Sequence, residues 1–169
     1  MKMIALLVSV VALLLLGGIL YLYGKRPYRH KRAVADDLRE LFKVLLYRGY
    51  DDALMFIETP DRKKFLQFRK YIKSRSNVGL EFGFPLAPWS GEYYEKVKES
   101  LERKDIDYSI AGTNERVVTE FLLIDLRQDV EKGIEVARLI LREVFGLRPD
   151  EKISLYFVNV SPREERIGF

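Results

Sequence analysis

The sequence predicts an α+β protein: an N-terminal transmembrane helix, then a mostly antiparallel sheet packed with helices in the order α-βββ-α-ββ-α-β. Three observations carry this. Met3 to Tyr23 is a run of 21 residues without a charge, about 31 Å long as a helix and so long enough for a hydrocarbon core of about 30 Å. Several later segments alternate apolar and polar residues with the period of a sheet wet on one face. Others repeat apolar residues every three to four positions, the period of a helix buried along one stripe.

The apolar run is longer than the core of a cleaved signal peptide. Past Leu13 it offers Gly17, Gly18 and Gly24 but no two small residues separated by one position. With zero cysteines there is no residue to lipidate. The expected division is an anchor over 1–24, a basic juxtamembrane segment over 25–32 and a domain over 33–169. Lys25, Arg26, Arg29, Lys31 and Arg32 flank the run on its C-terminal side, against only Lys2 and the α-amino group on the other. Basic flanks stay cytoplasmic, so the expected location is the cell (inner) membrane, single-pass, with the domain in the cytoplasm and membrane lipids as one partner. Tyr21, Tyr23 and Tyr28 suit the interfacial belt.

The same flank explains the charge. Residues 1–32 hold six Lys/Arg and no acid; of 29 basic residues this leaves 23 against 25 acidic ones in the domain. A pI near 9.2 therefore belongs to the flank, and nucleic acid is not expected as a partner.

In the domain, Val34, Leu38, Leu41, Phe42, Leu45 and Leu46 define a helix over 33–48, with Gly49 as its stop. Strands are expected at 53–58, 64–72 and 78–84, the first ended by Thr59-Pro60-Asp61. Ser90 is the expected N-cap of a helix running to about Lys104, with Tyr93, Val97 and Leu101 on one side. Strands at 106–111 and 116–127 follow, joined by Gly112-Thr113-Asn114. Asp129 opens the last helix, whose stripe is Val130, Ile134, Ala137, Ile140, Leu141 and Val144 and whose stop is Gly146. A strand over 153–160 closes the chain, with Ile153, Leu155 and Phe157 on one parity.

From about Ala53 to Val160 this pattern resembles the TY-Chap and bacterial sensory-transduction-regulator group, which shares the fold of type III secretion chaperones. The resemblance rests on FLQF (65–68), GLEFGFP (79–85), the hairpin after the middle helix, and VARLILREVFGLRPDE (136–151). It implies a non-enzymatic module that binds other proteins, with a homodimer as one form. It carries over no catalytic motif and no site residue, and the apolar N-terminus departs from it.

The residues themselves point the same way. The one histidine, His30, lies in the basic flank, so the domain has no histidine for a triad or a proton relay. Asp51, Asp52, Asp105 and Asp107 read as turn residues; no Asp-x-Asp-x-Asp-Gly loop and no GxxxxGK[ST] loop occurs. No catalytic residue, cofactor or metal is expected. The segment 82–94 gathers the single Trp, two Phe, two Tyr and two Pro, and Phe84, Trp89, Tyr93 and Tyr94 are its candidate protein-binding residues. The alternative for Trp89 is a place in the core. The expected function is a membrane-anchored adaptor or chaperone-like module without catalysis. The alternative is an accessory subunit of a membrane complex in which the apolar run, with Gly17-Gly18, makes the main contact.

Overall fold

The computed structural model describes residues 28–34, as backbone, together with 38–112 and 120–161. Strand β1 (Tyr28–Val34) leads to helix α1 (Leu38–Arg48), three strands β2 (Gly49–Glu58), β3 (Phe65–Ser74) and β4 (Asn77–Pro85), and helix α2 (Gly91–Arg103). Strands β5 (Ser109–Gly112) and β6 (Glu120–Arg127), helix α3 (Val130–Leu139) with a π-helical turn (Ile140–Val144), and strand β7 (Lys152–Val160) complete it. The seven strands form one antiparallel sheet in the order β1-β7-β2-β3-β4-β6-β5.

This corrects the expected fold. Among the described residues no helix is long and apolar enough to cross a membrane, so the transmembrane helix that headed the expected order has no counterpart there; residues 3–23 lie outside the described residues. The order is β-α-βββ-α-ββ-α-β, with a seventh strand where a basic flank was expected. That strand escapes a search for alternation because it is an edge strand rich in charge, a composition that discourages further strand pairing. Its register runs from Tyr28 opposite Phe157 to Val34 opposite Lys152. Residues 33 and 34 thus belong to the sheet, and α1 begins only at Leu38.

One face of the sheet holds the core. Met55 and Ile57, Leu66 and Phe68, Leu80 and Phe82, Leu122 and Ile124, and Leu155 and Phe157 all lie on the parity that meets the three helices, in a single cluster. Helix α1 contributes Leu38, Leu41, Phe42, Leu45 and Leu46, as its periodicity predicts. Phe42 meets Phe68 edge-on at 4.7 Å between ring centres. Gly49 ends α1 and is at once the first residue of β2. A Cβ there would lie 2.4 Å from the Leu45 carbonyl oxygen, so the direct helix-to-strand passage requires glycine.

In α3 the Asp129 side chain, expected to favour the helix N-terminus through the dipole, accepts from the Lys132 amide at 2.9 Å and so also caps it. The helix then widens: the Phe145 amide bonds to the Ile140 carbonyl at 2.9 Å, five residues back. Gly146, at φ 72°, stops it. The residues of the hairpin signature beyond Gly112 lie outside the described residues.

Candidate protein-binding face

The aromatic segment divides in two. Phe84 and Tyr94 are buried at 0% and 1% exposure, so neither reaches a partner, which corrects their candidacy. Phe84 shares the parity of Leu80 and Phe82 on β4 and so faces the helices. Tyr94, not Tyr93, lies on the buried stripe of α2 with Val97, Ser100 and Leu101. The helix starts at Gly91, directly after Ser90, and its stripe runs through Tyr94, Val97 and Leu101 at spacings of three and four. The Tyr94 hydroxyl donates to Glu120 at 2.7 Å. Burial and this bond push the phenol well above its ordinary range.

Trp89 and Tyr93 are half-buried against the core. Trp89 lies 4.6 Å from Phe65 and 5.8 Å from Phe84, ring centre to ring centre. Tyr93 meets Phe145 edge-on at 5.5 Å, with the Lys64 ammonium 5.3 Å from its ring. Ser90 does not cap α2 with its side chain. Its hydroxyl donates to the Pro85 carbonyl and accepts from the Ala87 amide at 2.9 Å, pinning the Pro-rich loop that carries Trp89. Of the basic flank, Arg29, Lys31 and Arg32 lie on β1; Lys25 and Arg26 lie outside the described residues.

The structure adds a surface that the aromatic segment only borders. All three helices pack on one side of the sheet, and among the described residues nothing covers the other. The uncovered parity of β2, β3 and β7 carries Leu54, Phe56, Phe65, Tyr156 and Val158, all half-buried. Phe56 sits directly opposite Tyr156, and the two rings stack 4.6 Å apart at 11°. Phe65 follows at 5.7 Å from Phe56, and Trp89 at 4.6 Å from Phe65. The result is a ladder of four aromatic rings running from β7 across β2 and β3 to the loop after β4.

Beside this ladder the face turns polar. Arg69 bridges Asp52 at 3.2 Å and Glu81 at 2.9 Å. The Tyr71 hydroxyl donates to Asp125 at 2.8 Å. Gly79 makes room for Tyr71, since a Cβ there would approach its hydroxyl to 2.5 Å. Burial, then the bond to Asp125, pushes the Tyr71 phenol up to about 12. Burial raises the Asp125 carboxyl, but the Arg127 amide and the Tyr71 hydroxyl outweigh it and leave the group below its ordinary value.

Sequence reasoning missed the ladder because β7 was read from its Ile153, Leu155 and Phe157 parity alone. The available signal was apolar residues on both parities of β2 and β7, which marks a strand whose second face also seeks cover.

Among the described residues no three His, Cys, Asp or Glu are placed to hold a metal. Asp51 accepts from the Ile72 amide at 2.7 Å, while Asp52 pairs with Arg69. A cleft of about 520 Å³ opens where β5, β6 and α3 meet, lined by Asp107, Tyr108, Arg127, Asp129 and Lys132 among others. Two of its acids are engaged: Asp125 by Tyr71 and the Arg127 amide, Asp129 by its cap. In comparison with known proteins, no protein-family model, no curated protein and no solved structure matches the chain.

Proposed function

We propose that the chain is a non-catalytic protein-binding module, adaptor or chaperone-like, held at a membrane by its apolar N-terminal run. One observation supports the binding role above all: the uncovered sheet face with its ladder Tyr156, Phe56, Phe65 and Trp89. Half-buried aromatics contribute area at a low cost in side-chain entropy, and Trp and Tyr are frequent anchors of protein interfaces. The membrane location rests on the composition of residues 3–23 and the basic residues after them. The resemblance to the TY-Chap group points to the same class of activity.

The test is crosslinking and recovery of partners from membranes with the double variant Phe56→Ser and Tyr156→Ser. An interface anchor is typically worth about 2 kcal/mol, close to a thirtyfold change in affinity. Recovery of a specific partner should fall at least tenfold while the melting temperature moves by only a few degrees. Undiminished recovery with a folded variant refutes the face as the binding surface.

A further inference from the structure

We infer that what the uncovered sheet face binds is an extended, uncharged segment of another protein, one of whose peptide groups pairs with the Gln67 carboxamide. The inference rests on the protein-binding role proposed above and adds the conformation and chemistry of the bound segment.

Register brings unlike residues into one row. Gln67 on β3 lies opposite Phe56 on one side and Gly83 on the other, and Gly83 lies opposite Leu123. Gln67 alternates with the core residues Leu66 and Phe68, so it stands on the uncovered face, between the aromatic ladder and β4. It is half-buried, and its carboxamide makes no hydrogen bond to any other described residue. Beside it the floor of the sheet is bare. A Cβ at Gly83 meets only Leu123 at 3.6 Å and Phe121 at 3.9 Å, which are ordinary contacts. The other glycine on this face of β4, Gly79, is filled by the Tyr71 hydroxyl, so the bare stretch lies between Glu81 and Pro85.

That stretch is a trough. Phe65 and Gln67 form one wall, and the half-buried Phe121 and Leu123 form the other. The walls rise from strands two spacings apart, about 10 Å. An α-helix is about 10–12 Å across and rides over such walls, whereas an extended chain enters between them. The extended chain also brings what Gln67 needs. A helix has spent its backbone groups on itself except at its ends, but each peptide unit of an extended segment offers one donor and one acceptor. The carboxamide carries the matching acceptor and donor. A purely apolar cover would leave both unsatisfied.

Charge complementarity favours an uncharged segment, because the charges beside the trough already cancel. Arg69 stands between Asp52 at 3.2 Å and Glu81 at 2.9 Å. Asp125 has the Lys73 and Arg127 charges beside it. Glu58 lies on β2, beyond Phe65 and outside the trough.

The test pans full-length protein in detergent against a phage library of random dodecapeptides, with enriched sequences synthesised for fluorescence anisotropy. Enriched peptides should be uncharged at their centre and repeat apolar residues with period two. Replacing one central amide by an ester removes its N–H and should weaken binding about tenfold. Gln67→Leu should weaken binding by a similar factor and make it insensitive to the ester, the coupling expected of two groups that meet. Gly83→Val fills the trough and should weaken binding at least tenfold while the melting temperature moves by only a few degrees. Apolar residues repeating every three to four positions overturn the inference. So does an ester penalty equal in wild type and Gln67→Leu, or undiminished binding to Gly83→Val. If no peptide is enriched but partner recovery from membranes still depends on Phe56 and Tyr156, the binding role stands and this inference falls. If that recovery is independent of them as well, both fall.

Discussion

The Lys70 ammonium, fully buried on the core side of β3, donates to the Gly49 carbonyl at 2.8 Å and so ties β3 to the junction where α1 becomes β2. Burial pushes its pKa down from the ordinary lysine value. The folded chain thus pays to keep this group charged, and the cost is fully present below the folded pKa. It is relieved as pH climbs toward about 10.4, where lysine titrates in the unfolded chain. The wild type should therefore gain stability relative to Lys70→Met on going from neutral pH to about pH 10. Urea unfolding midpoints of both proteins at the two pH values check this. A constant difference between them would show that Lys70 titrates as an ordinary lysine.

Tyr71 predicts the opposite sign. Its folded pKa of about 12 exceeds the value near 10 of an unfolded tyrosine. The folded state therefore holds a proton that the unfolded state releases, and stability falls as pH rises between about 10 and 12. Tyr71→Phe should flatten that fall. In an ultraviolet titration the substitution should leave the phenolate signal near pH 11 unchanged while reducing the final amplitude. A lower signal at pH 11 would mean that Tyr71 ionises with the exposed tyrosines.

Gly133 lies where α3 crosses α1, and a Cβ there would meet the Phe42 ring at 2.7 Å. Alanine improves helix propensity by about 1 kcal/mol. Here it must displace a ring already packed edge-on against Phe68, and overpacking of this kind costs about 1–3 kcal/mol. Gly133→Ala should be net destabilising in urea unfolding, whereas Gly91→Ala, with open space around its Cβ, should not lose stability through contact.

Strand β1 makes the start of the domain testable. A fragment beginning at residue 24 retains β1, while one beginning at residue 35 strips the edge from β7. The longer fragment should be monodisperse and unfold cooperatively. The shorter one should be less stable and prone to self-association through the bared strand. Light scattering and thermal unfolding compare them; identical behaviour would make β1 dispensable to the fold.

Periodicity alone was enough to find three domain helices, six strands and their antiparallel character, because each element must bury a stripe or a face and writes that need into its own local pattern. The start of the last helix at Asp129 and its stop at Gly146 were legible for the same reason, since both act on backbone groups within a few residues, while the side-chain cap of Asp129 on the Lys132 amide came from the structure. The uncharged run over 3–23 and the basic residues after it are likewise matters of sequence. Tertiary structure decided what depends on neighbours distant in the chain. The edge strand Tyr28–Val34 acquires its conformation from hydrogen bonds to β7, more than a hundred residues away, and its charged side chains leave no alternation to read. Phe84 and Tyr94 are core while Trp89 and Tyr93 are half-buried, a split set by strand parity on β4 and by which face of α2 meets the sheet. The ladder Tyr156, Phe56, Phe65 and Trp89 exists only once β7, β2 and β3 lie side by side, since stacking rings must come within about 7 Å in space whatever their separation in sequence.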